Sequence, residues 1–563
     1  MPSSSLDLLG SGLFLGFDSS TQSLKATAVD DKLRVVASQC VNFDSELPQY
    51  GTRGGVLHRE KEGSITAPCI MWVEALELLL GKLAAEKFPF HKVVALSGSG
   101  QQHGSVYWRK GAAQLLGDLD VAGDDDLAAQ LRDRAFSTHD SPVWMDSSTT
   151  QQCRAIEEAL GGAASVASLT GSRAYERFTG PQIRKLYETQ PEVYGDTERI
   201  SLVSSFMASI FLGRYASIDY SDAAGMNLMD LEKRCWSHAM LEATAPGLEQ
   251  RLGPLAASHE VAGNIHPFFV RKYSFSSECL VVHWSGDNPC SLAAGLALEH
   301  PGDIAISLGT SDTLVFFQVF GVTRNPQPGL EGHVFPNPVD VMNSYMAMLC
   351  YKNGSLTRED MRDRYAGGSW QKFNLLLQQS PPLNEGKLVF FYKEPEILPP
   401  LPAGMQRYVV DGDSVSEVAG EFSPSEEVRG LVEGQFASMR AHAERIGLPM
   451  PPNRIIATGG ASANQQLVQL MANVFACDVY QAQQTDSASA GAAIRAAQGW
   501  ASHRQQRFVP LSELIHNTAA APNDSAVFLK LVASAQSCDD GYERMAATRA
   551  KIEQQLLLAR HSC

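Results

Sequence analysis

Two stretches of the chain repeat one local pattern: an apolar strand, a short loop rich in hydroxyl groups and a second apolar strand. The first occupies residues 13–30 around the loop 18–23, and the second occupies residues 302–317 around the loop 309–313. Loop amides and hydroxyls of this kind can approach phosphate oxygens. Ordinary hairpin turns are the alternative, because Asp and Ser are common turn residues. Two such hairpins in corresponding positions indicate duplicated domains that grip phosphates from opposite sides.

The length and charge of the chain limit what it can be. With 563 residues, it is too long for one hydrophobic core and predicts at least two domains. A hydrophobic fraction of 44% and a charged fraction of 19% are typical of a globular protein. The formal net charge of -16 argues against nucleic acid or an anionic membrane as a partner. An anionic nucleotide would therefore need its own cradle of backbone amides and metal.

The cysteines and the N-terminus point to the cytoplasm. The ten cysteines are scattered, with no C-x-x-C motif and no paired Cys/His spacing, which predicts reduced thiols and argues against a structural zinc site. The first residues lack the basic and apolar regions of a secretory signal, and no stretch approaches the roughly 18 apolar residues of a membrane span. A Ser-rich start leaves a short transit segment open, although the absence of arginine before Arg34 argues against one.

The stretch 285–295 follows the apolar run 279–284 and reads as a strand, a tight turn and a helix N-terminus. This places Asp287 at the carboxyl end of a strand, where open α/β sheets bind ligands. A helix N-terminus would keep its carboxylate ionised and able to accept a proton. The alternative is that Asp287 only caps the helix, since Asp is a preferred capping residue.

Two further polar segments follow predicted elements in the first half of the chain. Gln102 and His103 come after the buried strand 93–97, and their amide and imidazole groups suit a polyhydroxylated ligand. Arg177 lies in a segment of arginines, aromatics and turn residues and can donate to a sugar hydroxyl. A structural histidine and a surface salt bridge are the alternatives.

The second half predicts a nucleotide site. Strand 454–458 ends in Gly459 and Gly460 before a helix, so that a flat ligand can lie against the backbone and its phosphates can face the helix N-terminus. A plain strand-to-helix turn is the alternative. The acidic stretch 112–138 predicts a solvated surface excursion, residues 322–404 look loop-rich, and the tail from about 526 looks helical.

The order of these motifs resembles the FGGY family of carbohydrate kinases over about residues 13–500. The segments 100–105, 174–180, 285–289 and 331–335 resemble, more narrowly, the xylulose kinases of eukaryotes. The resemblance implies an α/β fold of two actin-like (ribonuclease H-like) domains with a catalytic cleft between them. It also implies a sugar-binding N-terminal domain over 1–270, a nucleotide-binding C-terminal domain over 271–515 and a helical tail over 516–563.

The resemblance further implies ATP-dependent phosphorylation of D-xylulose to D-xylulose 5-phosphate in the pentose phosphate pathway, with ATP and Mg²⁺ required. Asp287 matches the family's general base, and Asp18 matches the acid near the magnesium-phosphate. The positions that match contacts to the ketose are Gln102, His103, Arg177, Asp287 and Asn288. The positions that match contacts to the nucleotide are Ser20, Thr21, Gly309, Thr310, Ser311, Trp370, Gly459, Gly460 and Asn464.

Two other classes of protein stay open at this point. One is another FGGY sugar or polyol kinase, acting on D-ribulose, glycerol or 1-deoxy-D-xylulose. The other is a non-kinase actin-like ATPase, which would keep the phosphate loops without needing a sugar pocket. A ketose and ATP are the expected small-molecule partners, and either a monomer or a homodimer is compatible with the sequence.

Overall fold

Two mixed sheets with helices packed on them form the framework seen in the computed structural model. The structure describes residues 8–59, 63–120, 126–291, 298, 300–309, 317–340, 342, 344–482, 487–518, 529–536 and 540–561. The strands in chain order are β1 Leu13–Ser19, β2 Ser23–Val29, β3 Val35–Asn42, β4 Leu57–Arg59, β5 Ser64–Pro68, β6 Val93–Gly100, β7 Ser105–Arg109, β8 Asp140–Pro142, β9 Thr197–Leu202, β10 Ile218–Asp219, β11 Met229–Asp230, β12 Cys235–Trp236, β13 Leu255–Ala256, β14 Val261–Asn264, β15 Leu280–Val282, β16 Ser285–Gly286, β17 Asp303–Ser307, β18 Phe317–Thr323, β19 His333–Pro336, β20 Tyr345–Tyr351, β21 Lys387–Tyr392, β22 Gly404–Asp411, β23 Ser414–Glu417, β24 Arg454–Thr458, β25 Asp478–Ala482 and β26 Leu529–Ala533. The helices in chain order are α1 Phe43–Glu46, α2 Cys69–Ala85, α3 Ala112–Gly117, α4 Leu127–Leu131, α5 Thr150–Ala159, α6 Ala163–Thr170, α7 Thr179–Thr189, α8 Pro191–Asp196, α9 Val203–Leu212, α10 Tyr220–Ala224, α11 His238–Thr244, α12 Leu248–Leu252, α13 Pro267–Tyr273, α14 Asp287–Cys290, α15 Gly354–Ala366, α16 Trp370–Gln379, α17 Pro424–Arg445, α18 Gln465–Phe475, α19 Ser487–Gln505, α20 Leu511–Thr518 and α21 Gly541–His561.

The chain divides into two units that interleave along the sequence. The first comprises residues 1–299, 334–344 and 484–525, and the second comprises 300–333, 345–483 and 526–563. The limits expected from the sequence, 1–270, 271–515 and 516–563, were contiguous. The units differ from those limits because β15 and β16 pair with β6 and because α19 packs on β1.

The sheet of the first unit carries the predicted opening hairpin at its centre. Its strands run in the order β14-β15-β6-β1-β2-β3, with β16 also paired to β6. The hairpin is confirmed, since β1 and β2 are antiparallel, while β1 is parallel to β6. Helices α2 and α9 cover this sheet with Trp72 and Phe206, which are fully buried. The carboxyl ends of β1, β6 and β16 therefore meet at one edge.

Helix α19 was predicted to pack closely on a neighbour through its small residues, and that prediction is confirmed. A Cβ placed on Gly16 of β1 would lie 2.1 Å from the backbone nitrogen of Ala493. The hydroxyls of Thr27 and Ser489 are 2.7 Å apart. This packing requires glycine at position 16 and small residues along the facing helix.

The sheet of the second unit runs in the order β20-β18-β17-β24-β25-β26. Strand β17 pairs in parallel with β24 and antiparallel with β18. Helix α17 packs against α16, α18 and α21. Its predicted N-terminal capping box is confirmed, because the Ser423 and Glu426 side chains bond reciprocally to each other's backbone.

One prediction about an irregular region is wrong, and another holds only in part. Residues 322–404 hold β20, α15 and α16 rather than loops. The stretch 112–138 exposes its described acids, but Leu127, Leu131 and Phe136 are buried in the core. Strand β20 was missed because it is nearly all apolar and shows no alternation of polar and apolar residues. The buried residues of α4 were missed because acidic residues precede and follow them in the sequence.

Within the described residues, the helices that are long enough to cross a bilayer are all too polar to do so.

Candidate functional site

The first unit brings two predicted carboxylates to the same edge of its sheet. Asp18 on β1 is level with Ser99 on β6, and β16 on the other side of β6 leads directly into Asp287. Neighbouring strands lie about 4.8 Å apart, so positions two strands apart are separated by roughly 10 Å.

Asp287 is the first residue of α14, and the N-cap position belongs to Gly286, which precedes it. Asp287 is partly exposed as a whole residue, but its carboxylate is buried and accepts the backbone N–H groups of Asn288, at 2.8 Å, and Gln102. Burial raises the pKa of Asp287 to about 6, against the lowering effect of these hydrogen bonds. Desolvation therefore outweighs the helix N-terminus and the hydrogen bonds, and a carboxylate with a pKa of about 6 remains mostly ionised at pH 7 while gaining affinity for a proton.

Two of the predicted sugar-binding residues, Gln102 and Asn288, form a connected group with Asp287. The Asn288 Nδ2 donates to Gln102 Oε1 at 3.3 Å. Gln102 is buried, and its Nε2 has no partner among the described residues. An amide donor held in this way beside a carboxylate can bind a hydroxyl group of a ligand.

His103 has a fixed ring orientation in the same wall of the site. Its Nδ1 lies 2.8 Å from the carbonyl oxygen of Gly225. Since a carbonyl can only accept, Nδ1 carries the proton and Nε2 is the acceptor nitrogen of the neutral ring. The ring packs against Phe178 at a centroid distance of 4.5 Å, and the Thr179 hydroxyl donates to the His103 carbonyl at 3.0 Å.

Arg177 immediately precedes Phe178 in the sequence. Because Phe178 packs against His103, the backbone of Arg177 lies close to His103. Its guanidinium lies 5.8 Å from the ring centre of Tyr175. Phe178 therefore packs against the His103 ring, and Tyr175 contacts the Arg177 guanidinium, so both predicted sugar-binding side chains contact this aromatic segment.

Asp18 lies at the carboxyl end of β1 and is 4% exposed. Its Oδ1 accepts the Ser99 hydroxyl at 2.8 Å. The next residues form the tight turn of the first loop, in which the Ser20 hydroxyl and N–H both donate to the Ser23 carbonyl. The Thr21 hydroxyl accepts the indole N–H of Trp144 at 2.8 Å.

The sequence did not single out Asp222, yet it lies against the site. It is 1% exposed, and its Oδ2 accepts the Ser204 hydroxyl at 2.5 Å. A Cβ placed on Gly286 would be 3.1 Å from Asp222 Oδ1. Burial, followed by the neighbouring Asp219 carboxylate, raises the pKa of Asp222 well above its ordinary range. The only sequence signal was the small, polar stretch 218–226 in which it occurs.

Three of the predicted nucleotide residues, Gly459, Gly460 and Asn464, follow the end of β24 in the second unit. Gly459 adopts φ +80°, and a Cβ there would lie 2.5 Å from the Leu308 carbonyl oxygen, so glycine is required. Gly460 begins a short 3-10 turn before α18. Asn464 caps α18, with its Oδ1 accepting the N–H of Gln466 at 3.0 Å.

Helix α16 is tied to this turn. The Asn464 Nδ2 donates to Asn374 Oδ1 at 3.0 Å, and Trp370 begins the same helix one turn earlier. Trp370 is 37% exposed and has the Arg362 guanidinium 4.8 Å from its ring centre. Gly309 also belongs to this unit, and its carbonyl accepts the Ser355 hydroxyl at 2.8 Å. Thr310 and Ser311 lie outside the described residues.

A magnesium ion fits the chemistry of the first unit. Mg²⁺ commonly takes one or two carboxylates together with substrate phosphates and water. Asp18 supplies a buried carboxylate beside the first loop. Among the described residues there is no group of three or more His, Cys, Asp or Glu side chains that could hold a metal without help from a substrate.

Comparison with known proteins decides the family. Residues 139–294 match the model of the "FGGY family of carbohydrate kinases, N-terminal domain", and residues 304–500 match the corresponding C-terminal domain. The chain belongs to the FGGY family of carbohydrate kinases.

Relatives within the FGGY family cover nearly all of the chain. It is 56% identical to xylulose kinase 2 of Arabidopsis thaliana over 560 residues, which cover 98% of each protein. It is 48% identical to the xylulose kinase of Rattus norvegicus over 518 residues, covering 91% of this chain and 93% of the relative. The crystal structure of a "xyloylose kinase" from Brucella ovis superposes with a TM-score of 0.74 at 18% identity, covering 97% of this chain and all of the other. The two-domain FGGY fold expected from the sequence is confirmed.

Proposed function

We propose that the protein is an ATP-dependent xylulose kinase that converts D-xylulose to D-xylulose 5-phosphate. The observation that carries the proposal is the Asp287 carboxylate, with a pKa of about 6, beside the amide groups of Gln102 and Asn288. The names of relatives that are up to 56% identical over 98% of the chain support the choice of sugar. FGGY membership disfavours the alternative of a non-kinase actin-like ATPase.

In the proposed reaction, Asp287 accepts the proton of the C5 hydroxyl of D-xylulose. The oxygen of that hydroxyl forms a bond to the γ-phosphorus of ATP, the bond from that phosphorus to the β-phosphate oxygen breaks, and ADP leaves. A base whose pKa lies near the working pH combines ionisation with a useful affinity for the proton. The pKa of about 6 supports Asp287 in this role.

The remaining polar groups of the first unit would bind the sugar. His103 Nε2 would accept a hydroxyl proton, because Nδ1 donates to the Gly225 carbonyl. Asn288, Gln102 and Arg177 would donate to sugar oxygens. A site built from such matched donors and acceptors leaves them unpaired with a wrong epimer, at a cost of about 1–3 kcal/mol for each group.

In the second unit, adenine would lie against Gly459 and Gly460 near Trp370, and the loop 309–311 would contact phosphate oxygens. In the first unit, Thr21 would donate to a phosphate oxygen. Asp18 would hold Mg²⁺, which neutralises negative charge on the phosphates. The tight turn at Gly459 and the exposed indole of Trp370 support this placement of adenine.

Replacing Asp287 with asparagine tests the proposal directly. Asparagine keeps the shape of the side chain but removes the basic oxygen, so kcat for D-xylulose should fall by about 10²–10⁴ while MgATP binding and the melting temperature stay close to normal. The measurement is ADP formation with and without D-xylulose. Wild-type protein without sugar-dependent ADP formation would reject the activity, and a near-normal kcat in a folded D287N protein would remove Asp287 from the mechanism.

A further inference from the structure

The indole N–H of Trp144 donates to the hydroxyl of Thr21 at 2.8 Å. A threonine hydroxyl has one proton to donate and two lone pairs that can accept. The indole can only donate, so it occupies a lone pair and leaves the Thr21 proton to be given elsewhere. The hydrogen bond therefore fixes the position of the Thr21 hydroxyl oxygen and leaves its proton available for donation to another acceptor.

The neighbouring hydroxyl of the loop is committed differently. Ser20 Oγ donates to the Ser23 carbonyl at 2.9 Å, and the Ser20 N–H donates to the same oxygen at 3.0 Å. Both donors of Ser20 thus close the turn itself. The sequence predicted that the hydroxyls of Ser20 and Thr21 contact phosphate. Within the part of the chain that the structure describes, only Thr21 of these two has a hydroxyl that bonds to a residue outside the loop, Trp144.

The backbone of Thr21 is enclosed by a second segment. A Cβ placed on Gly55 would lie 1.9 Å from the Thr21 carbonyl oxygen, and Gly55 has φ +78°. The Asp44 carboxylate accepts the N–H groups of Gly54 and Gly55 at 2.6 and 3.0 Å. The threonine is therefore held in place on its backbone side as well as through its hydroxyl.

Trp144 is itself mounted on a rigid turn. The Asp146 N–H donates to the Val143 carbonyl at 2.9 Å, and Asp146 is 1% exposed. Its carboxylate accepts the N–H of Ile65 and the Nε2 of Gln182, both at 2.8 Å. Gln182 belongs to α7, the helix that begins two residues after Arg177. The turn thus joins the segment expected to hold the sugar to the loop expected to hold phosphate.

We propose that Trp144 is a positioning residue for phosphoryl transfer, whose indole N–H orients the Thr21 hydroxyl to donate to a phosphate oxygen of the nucleotide. The inference rests on the proposed kinase function and adds to it a residue that acts through Thr21. Loss of one hydrogen bond of this kind changes an equilibrium by about 5- to 10-fold.

The first test is W144F, which keeps an aromatic ring but removes the donor. The matched control is W236F, because the Trp236 indole also donates to an oxygen, the Gly253 carbonyl at 2.7 Å, within the same unit. W144F should reduce kcat/KM for MgATP about 5- to 10-fold with little change in the KM for D-xylulose. W236F should leave both at the wild-type value. An increase in the KM for D-xylulose alone, or equal effects of both variants, would overturn the proposal.

The second test is a double-mutant cycle with T21V, which removes the hydroxyl. If the indole acts through that hydroxyl, adding W144F to T21V should reduce kcat/KM for MgATP no further, and the single effects should not add. Additive effects in proteins of normal melting temperature would overturn the proposal. The wild-type protein is measured in the same assay. If it forms no ADP in response to D-xylulose, the kinase function itself is rejected, and not only the role of Trp144.

Discussion

Asp287 shows how far single residues could be understood from the sequence. Its position after a strand and at the start of a helix was predicted correctly, but two features required coordinates. Gly286 holds the N-cap position, so capping does not explain the aspartate. The amide of Gln102, a residue 185 positions earlier, reaches the Asp287 carboxylate, and burial raises its pKa. Long-range contacts and burial leave no trace in a local pattern.

The pH dependence of the reaction should follow this carboxylate. A base acts when deprotonated, so with a pKa of about 6 the value of kcat/KM for D-xylulose should be level at neutral pH and fall about tenfold per pH unit well below pH 6. The measurement is the rate of ADP formation from pH 4.5 to 8 in proteins whose circular dichroism is unchanged. A profile that stays level down to pH 4.5 would assign the base to another group.

At the scale of elements, hairpins and strand-to-helix turns could be predicted, because Gly, Asp and Ser mark their ends. Strand β20 could not, since it is buried along nearly its whole length and shows no alternation. The apolar side chains of α4 pack into the core although acidic residues surround them in sequence. For the site, local patterns found Asp18, His103 and the turn after β24, whereas Asp222 and Trp144 depend on tertiary contacts.

The C-terminal helix α21 is joined to α17 by the buried carboxylate of Glu553, which also pairs with Arg549 on its own helix at 3.3 Å. Glu553 Oε2 lies 2.9 Å from His442 Nε2, and its Oε1 accepts the Ser438 hydroxyl at 2.8 Å. Burial alone would raise the pKa of Glu553, but the charge and hydrogen bond of His442 lower it to about 2. A lowered carboxyl pKa contributes stability that is present above pH 4.5 and is lost as the pH falls towards 2.

Glu553→Gln should therefore destabilise the second unit at neutral pH. Removing one partner of a buried pair costs about 3–5 kcal/mol, so the unfolding midpoint in urea should shift clearly at pH 7. The difference from wild type should shrink as the pH approaches 2. The exposed Glu543→Gln on the same helix is the control. An E553Q protein as stable as wild type at pH 7 would show that the pair adds nothing to the packing of α21.

At the scale of the whole molecule, the duplicated hairpins predicted two related halves, and FGGY membership confirms the two-domain fold. The interleaving of the units was not visible in the sequence, because α19 and the residues 334–344 join the first unit through tertiary contacts. The residues expected to bind the sugar belong to the first unit, as do Ser20 and Thr21 of the first phosphate loop, whereas Gly309, Trp370, Gly459, Gly460 and Asn464 belong to the second. The choice of sugar depends on how the polar groups of the sugar-binding residues match its hydroxyls.

The most direct test of the account is kcat/KM for D-xylulose compared with D-ribulose and glycerol, measured as ADP formation at saturating MgATP. In the proposed site D-xylulose pairs with the donors and acceptors, and each mismatch costs about 1–3 kcal/mol, so its kcat/KM should exceed that of either competitor by at least about fivefold. D-ribulose or glycerol as the better substrate, or ADP formation that is the same without any sugar, would contradict the assignment.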